Sequence, residues 1–385
     1  MSLNWSYVGP DHGQTIYPKN SSEFQRLYTG NTGNLVYYYA TRCCIAFSNR
    51  KFGFGAKPEI INKIGNGLVF SLANQLGSHT DLGKRGMRLE QLDVPVVGLG
   101  LGAQIKEQTE DLSFIPQGTV DWIRQLTERS IGSSPNLTVR GDYTYSILEK
   151  LGLADKALPI GCQTNFINPN ANLGKTIIDR FNSTGMKKIS IAAGSPYNKD
   201  FSKLEGSLLN LAINNKGRYI VQHPMDLINV TINYSKEDFK HSFERILPFY
   251  QKLGFSEEEL VESIENKFRV FVDPTQWMLE HQYSDIVIGT RIHGVQSALQ
   301  AGVPAICLYI DSRTKELCEK MKIPHANARN YPQGINQGNI NQIINDWNYE
   351  DYDISRVKLA RQFKEFLKLN NINPSTSLTS LANAS

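Results

Sequence analysis

An arginine and a histidine lie two positions apart in the segment GTRIHG, residues 289–294, directly after a short apolar run at 286–288. Such a run is typical of a strand buried in a parallel sheet. It places Arg291 and His293 at the carboxyl end of the strand, where α/β proteins bind ligands. Arginine can bind a carboxylate or phosphate through two parallel hydrogen bonds, and histidine can exchange a proton near neutral pH. Gly294 lets backbone or ligand approach closely. We predict an active-site segment here; the alternative is a buried histidine bonded to backbone, with an arginine paired to a carboxylate.

A second arginine, Arg140, ends the apolar run at 137–139 in the segment VRGDYTY. Asp142 is a candidate N-cap for the next helix, because its side chain can accept a hydrogen bond from the first turn. Arg140 could then point from a strand end into the same cleft as His293. A surface ion pair between Arg140 and Asp142 explains the segment equally well, and the sequence leaves both interpretations open.

Two further cations, Arg313 and Lys315, lie in the segment LYIDSRTK, after the run at 305–309. Asp311 or Ser312 is a candidate N-cap, which places both cations in the first turn of a helix, where positive charge is mildly unfavourable. Cations at such a position indicate an anionic ligand, with solvated surface charge as the alternative.

Two glycine-rich segments have the composition of turns or binding loops. VVGLGLGAQ, residues 96–104, matches the loose G-x-G-x-x-A form of a dinucleotide fingerprint, but no clear acidic partner follows it. We favour a tight strand-end turn that lets backbone approach a ligand or another domain. GNTGN, residues 30–34, suits a turn and a binding loop equally. His223 follows the apolar run at 219–221, with one residue between, and is a further candidate for the cleft.

Short apolar runs alternate with helical patterns along most of the chain, which predicts parallel sheets covered by helices. The runs are at 35–40, 68–72, 94–98, 137–139, 189–192, 219–221, 270–272, 286–288 and 305–309. We therefore predict two Rossmann-like, doubly wound α/β domains facing a cleft. The first covers residues 1–165, a linker rich in Asn, Pro and Gly follows at 165–175, and the second covers 176–350. Residues 351–385 are expected to form a C-terminal helix and a flexible tail.

The composition is that of an ordinary globular protein of 385 residues, with a formal net charge of +4. This mild charge fits an anionic small molecule and leaves peripheral membrane association open. The sequence contains no lysine- or arginine-rich run, which argues against nucleic acid as a partner. Five cysteines without a C-x-x-C pair indicate reduced core thiols of a cytoplasmic protein and no metal site. We expect neither a secretory signal nor a transmembrane helix.

Together these segments resemble the polysaccharide pyruvyl transferase family. The matching motifs are an N-x-G-D-like loop, a strand that ends in glycines, an R-D/E-x-x-S-like segment, and a late G-T/S-R-x-H segment followed by G-x-P and D-x-K-like loops. They correspond here to Asn31-Thr-Gly33-Asn34, Gly98-Leu-Gly100-Leu-Gly102, Arg140-Gly-Asp142 with Ser146, Gly289-Thr-Arg291-Ile-His293-Gly294, Gly302-Val-Pro304 and Asp311-Ser-Arg313. The sequence departs from the pattern at Asn34, where an acidic residue is common, at the inserted Gly141, and at Arg313, near the usual lysine.

The resemblance implies a GT-B-like fold and transfer of a pyruvyl group from phosphoenolpyruvate to a sugar hydroxyl as a ketal. The polysaccharide would belong to the cell surface or be exported, and the acceptor would be a sugar or a lipid-linked saccharide. No cofactor is expected besides the donor substrate. Phosphoenolpyruvate is a small trianion, which needs several arginines or lysines around it.

On this hypothesis His293 is the general acid or base, Arg140 and Arg313 bind phosphoenolpyruvate, and Arg291 joins them or braces His293. The other predicted substrate-binding residues are Lys315, Gly294, Asn31, Gly33, Asn34, Gly100 and Gly102. Two alternatives remain open. One is a GT-B-type nucleotide-sugar glycosyltransferase, for which Glu316 and Glu319 lie near the region that would bind a ribose. The other is a non-catalytic relative that recognises a glycan or another ligand.

Overall fold

The computed structural model describes residues 4–9, 17–47 and 51–384. The strands of these residues form two sheets, and every strand pair within a sheet is parallel. The first sheet has the order β2-β1-β3-β4-β5-β6 and consists of β1 Trp5–Val8, β2 Lys51–Phe52, β3 Gly67–Ser71, β4 Val96–Leu101, β5 Leu137–Val139 and β6 Ala157–Pro159. The second has the order β12-β11-β10-β7-β8-β9 and consists of β7 Ile189–Ala192, β8 Tyr219–Ile220, β9 Phe268–Arg269, β10 Ile286–Gly289, β11 Ala305–Tyr309 and β12 His325–Asn327.

Helices cover both sheets. Those that begin before β7 are α1 Ser21–Tyr28, α2 Gly33–Cys44, α3 Pro58–Ile64, α4 Gly83–Glu90, α5 Gln117–Glu128, α6 Asp142–Lys150 and α7 Leu173–Thr184. Those that follow are α8 Ser202–Asn214, α9 Met225–Ile232, α10 Lys236–Gln251, α11 Glu257–Lys267, α12 Pro274–His281, α13 Ile292–Gln300, α14 Ser312–Met321, α15 Gln337–Asn345, α16 Tyr349–Leu369 and α17 Thr376–Ala382. Within the described part of the chain, no helix combines the length and apolar character needed to cross a bilayer.

The central strands are buried because helices cover both of their faces. All six residues of β4 and all four residues of β7 and of β10 are buried. This topology confirms the predicted fold class, two Rossmann-like doubly wound α/β domains. In the sequence, the predicted linker separates the strands of the two sheets, since β6 ends at Pro159 and β7 begins at Ile189.

Two of the predicted strands are wrong. The run at 35–40 belongs to helix α2, whose buried residues, among them Leu35, Val36, Tyr37, Ala40 and Cys44, repeat with helical spacing. The run at 270–272 follows β9 instead of forming it, because the pairing with β8 ends at Arg269. Aromatic and β-branched residues favour strands, but packing against neighbouring elements decides such short runs.

Helices from both ends of the chain pack across the predicted domain boundaries. Phe24 and Tyr28 of α1 lie in the core of the second sheet. Conversely, Phe363 of α16 and Leu381 of α17 lie in a core with residues of the first sheet. The prediction of a flexible tail is therefore wrong for the residues up to 384. This segment contains α17, whose apolar side chains pack against the first sheet. The boundaries of the domains stay a prediction.

Candidate active site

Arg140 is the first residue after β5, as predicted, and its side chain is completely buried. Its Nε donates a hydrogen bond to the carbonyl of Gly100 at 2.9 Å, and its Nη2 lies 3.4 Å from the carbonyl of Leu72. Among the described residues, Nη1 has no hydrogen-bond partner. A buried guanidinium nitrogen without a partner is costly, which suggests that a ligand completes its hydrogen bonds.

Gly102, the first residue after β4, makes room for Arg140. Gly100 has a φ of +78°, and a Cβ atom at Gly102 would lie 2.7 Å from Cδ of Arg140. Helix α5 begins only at Gln117, so this segment does not form the strand–turn–helix unit of a dinucleotide site. Gly100 and Gly102 thus contact Arg140, and their direct contact with a substrate stays a prediction.

The GTRIHG segment joins β10 to α13. Arg291 is the N-cap residue of α13, and His293 lies in the first turn of this helix. His293 is 7% exposed. Its Nε2 lies 3.9 Å from Sγ of Cys162, and its ring lies 5.1 Å from that of Tyr37 on α2. The histidine is therefore enclosed between the second sheet and α2, with its ring nitrogen near a thiol.

Several cations act on His293. Burial lowers its pKa well below 6.5, and the charges of Arg140 and Arg313 lower the pKa further. Burial also lowers the pKa of Arg140, and Arg313 adds to this effect. Arg291 behaves in the same way, with its pKa lowered by burial and then by Arg313. The structure thus brings four predicted residues together, and the histidine at their centre is neutral at pH 7 and can accept a proton.

Carboxylates balance this positive charge only in part. Asp311, the N-cap of α14, pairs with Arg313 at 3.5 Å. Burial would raise the pKa of Asp311, but Arg313, hydrogen bonds from Thr314 and the charge of Arg291 hold it below 3.8. Glu205 accepts hydrogen bonds from Oγ1 of Thr290 at 2.6 Å and from the backbone. Nε of Arg313 and Nε of Arg291 have no hydrogen-bond partner among the described residues.

Lys315 does not join the cluster around His293. Its side chain is 40% exposed and pairs with Glu319 at 3.8 Å, one turn further along α14. A solvated ion pair of this kind contributes little to stability. Lys315 therefore lies at the surface, as the alternative of solvated surface charge predicts. Contact of Lys315 with a substrate stays a prediction.

The GNTGN loop, residues 30–34, reaches the cluster from the other end of the chain. The amide of Thr32 donates to the carbonyl of Gln222 at 3.1 Å, and Nδ1 of His223 lies 3.2 Å from the carbonyl of Gly30. His223 thus lies at the carboxyl end of β8, as predicted. Burial lowers its pKa, and the charge of Arg291 lowers it further.

The two asparagines of the loop shape its turn. Oδ1 of Asn31 accepts from the amide of Gly33 at 3.0 Å, and Nδ2 of Asn34 lies 3.5 Å from Oγ1 of Thr29. The loop leads directly into α2, which carries Tyr37 over His293. A role of Asn31, Gly33 or Asn34 in binding substrate stays a prediction.

Sequence reasoning missed two buried polar residues beside the cluster, Glu205 and Gln222. Gln222 follows β8 with one residue between, so its position at a strand end is a signal that could have revealed it. Glu205 lies on α8 and is 3% exposed. Nothing in its sequence context distinguishes it from a surface residue of an amphipathic helix.

Residues 76–312 match the polysaccharide pyruvyl transferase family. The chain belongs to this family. The match contains Arg140, Arg291 and His293 and thus confirms the resemblance inferred from their motifs. No curated protein matches the sequence.

Several solved structures are similar to this pyruvyl transferase family member over nearly its whole length. The UDP-GlcNAc 2-epimerase of Methanocaldococcus jannaschii, solved with UDP-GlcNAc and UDP, is 11% identical, with a TM-score of 0.45 over 94% of this chain and 100% of that one. S. aureus MnaA, solved with UDP, is 10% identical, with a TM-score of 0.46 over 97% of this chain and 99% of that one. The UDP-N-acetylglucosamine 2-epimerase of Rickettsia bellii is 12% identical, with a TM-score of 0.43 over 96% and 98%.

The carboxylate of Glu316, on α14, caps the N-terminus of α6, which begins two residues after Arg140. Glu316 of α14 accepts hydrogen bonds from the amide of Thr144 at 3.0 Å and from its Oγ1 at 2.6 Å. The N-cap of α6 is Gly141, not Asp142 as predicted, and it has no side chain with which to cap the helix. A Cβ atom at Gly141 would lie 2.8 Å from Cβ of Glu316. The inserted glycine thus makes room for Glu316.

Asp142 forms its ion pair with Lys320, at 2.9 Å, and not with Arg140. The predicted alternative of an Arg140–Asp142 pair is therefore wrong, because α6 directs Asp142 towards α14. A cleft of about 690 Å³ lies beside these contacts, and its lining includes Glu316, Lys320 and Lys358. Arg140, Arg291 and Arg313 do not line this cleft.

Substitution of Glu316 by glutamine is expected to change how stability depends on pH. Burial raises the pKa of Glu316 from 4.5 to about 7. Between pH 4.5 and about pH 7, the folded protein therefore keeps the proton of Glu316, whereas the unfolded chain has lost it. The resulting stabilisation is complete below pH 4.5 and is lost as the pH rises through 7. Glutamine can accept the amide of Thr144 through Oε1 and donate to Oγ1 of Thr144 through Nε2 without this charge, so Glu316→Gln should gain on the order of 3 kcal/mol relative to wild type between pH 5 and pH 8.

Chemical unfolding of both proteins at a series of pH values measures this difference. Other titrating groups affect the two proteins alike and cancel in the comparison. Parallel stability curves from pH 5 to pH 8 would show that the carboxyl of Glu316 ionises with its ordinary pKa.

Proposed function

We propose that this protein transfers the pyruvyl group of phosphoenolpyruvate to a sugar hydroxyl and leaves a ketal, during synthesis of a cell-surface or exported polysaccharide. The observation that carries the proposal is that Arg140 and Arg313 lie close enough to act on a buried, neutral His293, and that Arg313 acts in the same way on Arg291. Each arginine has a guanidinium nitrogen without a hydrogen-bond partner among the described residues. A ligand with both a carboxylate and a phosphate can satisfy several such donors together.

The reaction needs one proton added to carbon and two removed from hydroxyl groups. C3 of phosphoenolpyruvate gains a proton, so the electrons of its double bond form the new C–H bond and C2 becomes electron-poor. One sugar hydroxyl forms a bond to C2 and loses its proton. The bond from C2 to the phosphate oxygen breaks, and phosphate leaves with that electron pair. A second hydroxyl of the same sugar then adds to C2. One hydroxyl proton balances the proton taken up by C3, and the other leaves with phosphate.

We assign the proton transfers to His293. Burial, together with the charges of Arg140 and Arg313, holds its pKa low before substrate binds. The negative charge of phosphoenolpyruvate offsets these arginines, so binding raises the pKa of His293 and lets it carry a proton. The protonated ring donates to C3, and the neutral ring then accepts a proton from the acceptor hydroxyl.

Thermal unfolding with candidate ligands tests the choice of donor substrate. Phosphoenolpyruvate should raise the Tm because it binds only the folded state, and at a concentration 100-fold above its Kd the gain is about 2.7 kcal/mol. UDP-linked sugars should leave the Tm unchanged. Stabilisation by UDP-linked sugars alone would contradict the proposal and favour a glycosyltransferase. Stabilisation by phosphoenolpyruvate without turnover would favour a binding module.

A further inference from the structure

Gln222 is a buried amide at the centre of the candidate site. It is 1% exposed and lies just beyond the carboxyl end of β8. Its backbone carbonyl already accepts the amide of Thr32 at 3.1 Å. Its side-chain Nε2, by contrast, has no hydrogen-bond partner among the described residues. The backbone of Gln222 thus holds the GNTGN loop, while its side-chain donor remains available.

Two glycines leave the space that the side chain of Gln222 occupies. A Cβ atom at Gly33, the first residue of α2, would lie 2.7 Å from Oε1 of Gln222. A Cβ atom at Gly294, in the first turn of α13, would lie closer still to Nε2. The amide is therefore packed between the first turns of two helices, and any larger side chain at either glycine would displace it.

Other donors without partners lie on the segments that contact Gln222. Oγ1 of the fully buried Thr32 and Nε of Arg291 have no hydrogen-bond partner among the described residues. In α13, the first helical hydrogen bond runs from the amide of Val295 to the carbonyl of Arg291. The amides before Val295 therefore have no partner within the helix, and no side chain caps them. In α2, by contrast, Asn31 accepts the amide of Gly33, so the open helix end is that of α13.

We propose that Nε2 of Gln222 donates a hydrogen bond to the phosphoryl group of the donor substrate, at the N-terminus of α13 and together with Thr32 and Arg291. This assignment rests on the proposed function and adds a residue and a subsite to it. The donors belong to three segments that meet at the N-terminus of α13, because Gln222 packs against Gly294, Thr32 bonds to the backbone of Gln222, and Arg291 is the N-cap residue. A phosphoryl group has three terminal oxygens to receive them, whereas one arginine satisfies both oxygens of a carboxylate. A helix N-terminus also favours an anion by its dipole.

The experiment compares two substitutions of buried glutamines. Gln222→Met removes the donor and keeps the length of the side chain. Gln300→Met is the matched control, because Gln300 is 3% exposed and lies at the opposite end of α13, where it bonds to Asn168. Calorimetric titrations of both variants and wild type use phosphoenolpyruvate, inorganic phosphate and pyruvate. Gln222→Met should raise the Kd for phosphoenolpyruvate about tenfold or more, as expected for a lost hydrogen bond to a charged group. Gln300→Met should leave the Kd unchanged.

The three ligands separate the possible outcomes. Weaker binding of phosphoenolpyruvate and phosphate, with the affinity for pyruvate unchanged, supports the phosphoryl assignment. Weaker binding of pyruvate instead of phosphate overturns it, as does a Gln222→Met protein that binds phosphoenolpyruvate like wild type. If wild type binds phosphate through Gln222 but does not bind phosphoenolpyruvate, the anion subsite stands and the proposed function fails. Should Gln222→Met not fold, Thr32→Val removes a neighbouring donor with almost no change of shape, and the same titrations apply.

Discussion

Replacing His293 with alanine should lower the turnover of pyruvyl transfer by about 10²- to 10⁴-fold, the usual contribution of a positioned acid–base group. The loss corresponds to roughly 3–5 kcal/mol of activation free energy. The structure gives the reason, since the ring is 7% exposed and is neutral beside Arg140 and Arg313. Binding of phosphoenolpyruvate should weaken far less than turnover, because the arginines that hold its charge remain.

His325→Ala is the control for this substitution. His325 lies on the edge strand β12 of the second sheet, where its Nδ1 lies 2.7 Å from the carbonyl of Ile323. This variant should keep wild-type turnover. Circular dichroism verifies that both variants fold. Full turnover in a folded His293→Ala protein would show that another group transfers the proton.

Replacing Arg140 with methionine should raise the Kd for phosphoenolpyruvate about 30-fold or more, equivalent to a loss of at least about 2 kcal/mol. The guanidinium is fully buried, and its Nη1 has no hydrogen-bond partner among the described residues. A ligand anion that meets this group is removed from water together with it, so the substitution leaves the anion buried without its counter-charge. Isothermal titration calorimetry measures the change directly.

A second buried arginine provides the comparison. Arg356 is also fully buried, but its guanidinium donates to the carbonyls of Asn165, Asn168 and Asn170. Arg356→Met should bind phosphoenolpyruvate like wild type and should lose more stability than Arg140→Met. The reason is that Arg356 donates to three backbone carbonyls that the substitution would leave without this partner, whereas Arg140 donates to two. Equal Kd values for the two variants would contradict the assignment of Arg140 as a substrate ligand.

The strand ends of the site could be predicted from the sequence because short apolar runs mark them clearly. The predicted runs at 137–139, 286–288 and 305–309 match β5, β10 and β11 to within one residue. Each is followed within three residues by a charged residue, which a strand buried on both faces rarely contains. Arg140, Arg291 and Arg313 were therefore found from local pattern alone.

The remaining features depend on contacts between distant segments. The run LVYYYA has strand-like composition, yet it forms part of α2, where Tyr37 packs beside His293. Gln222 is a candidate because its Nε2 is buried without a hydrogen-bond partner among the described residues. Its burial depends on packing against Gly33 and Gly294, which are distant in the sequence. Glu316 was considered for a ribose in the alternative glycosyltransferase, but in the structure it caps α6 through Thr144. No local sequence rule anticipates a cap donated by another part of the chain.

The most direct test of pyruvyl transfer is the release of inorganic phosphate from phosphoenolpyruvate, measured with and without saccharide acceptors. The acceptors should include free and lipid-linked sugars, and mass spectrometry should follow each acceptor in parallel. Pyruvyl transfer predicts that phosphate is released only when an acceptor is present, in equal amount to acceptor that has gained the three carbons of pyruvate. A protein that binds phosphoenolpyruvate but releases no phosphate with any of these acceptors would contradict it.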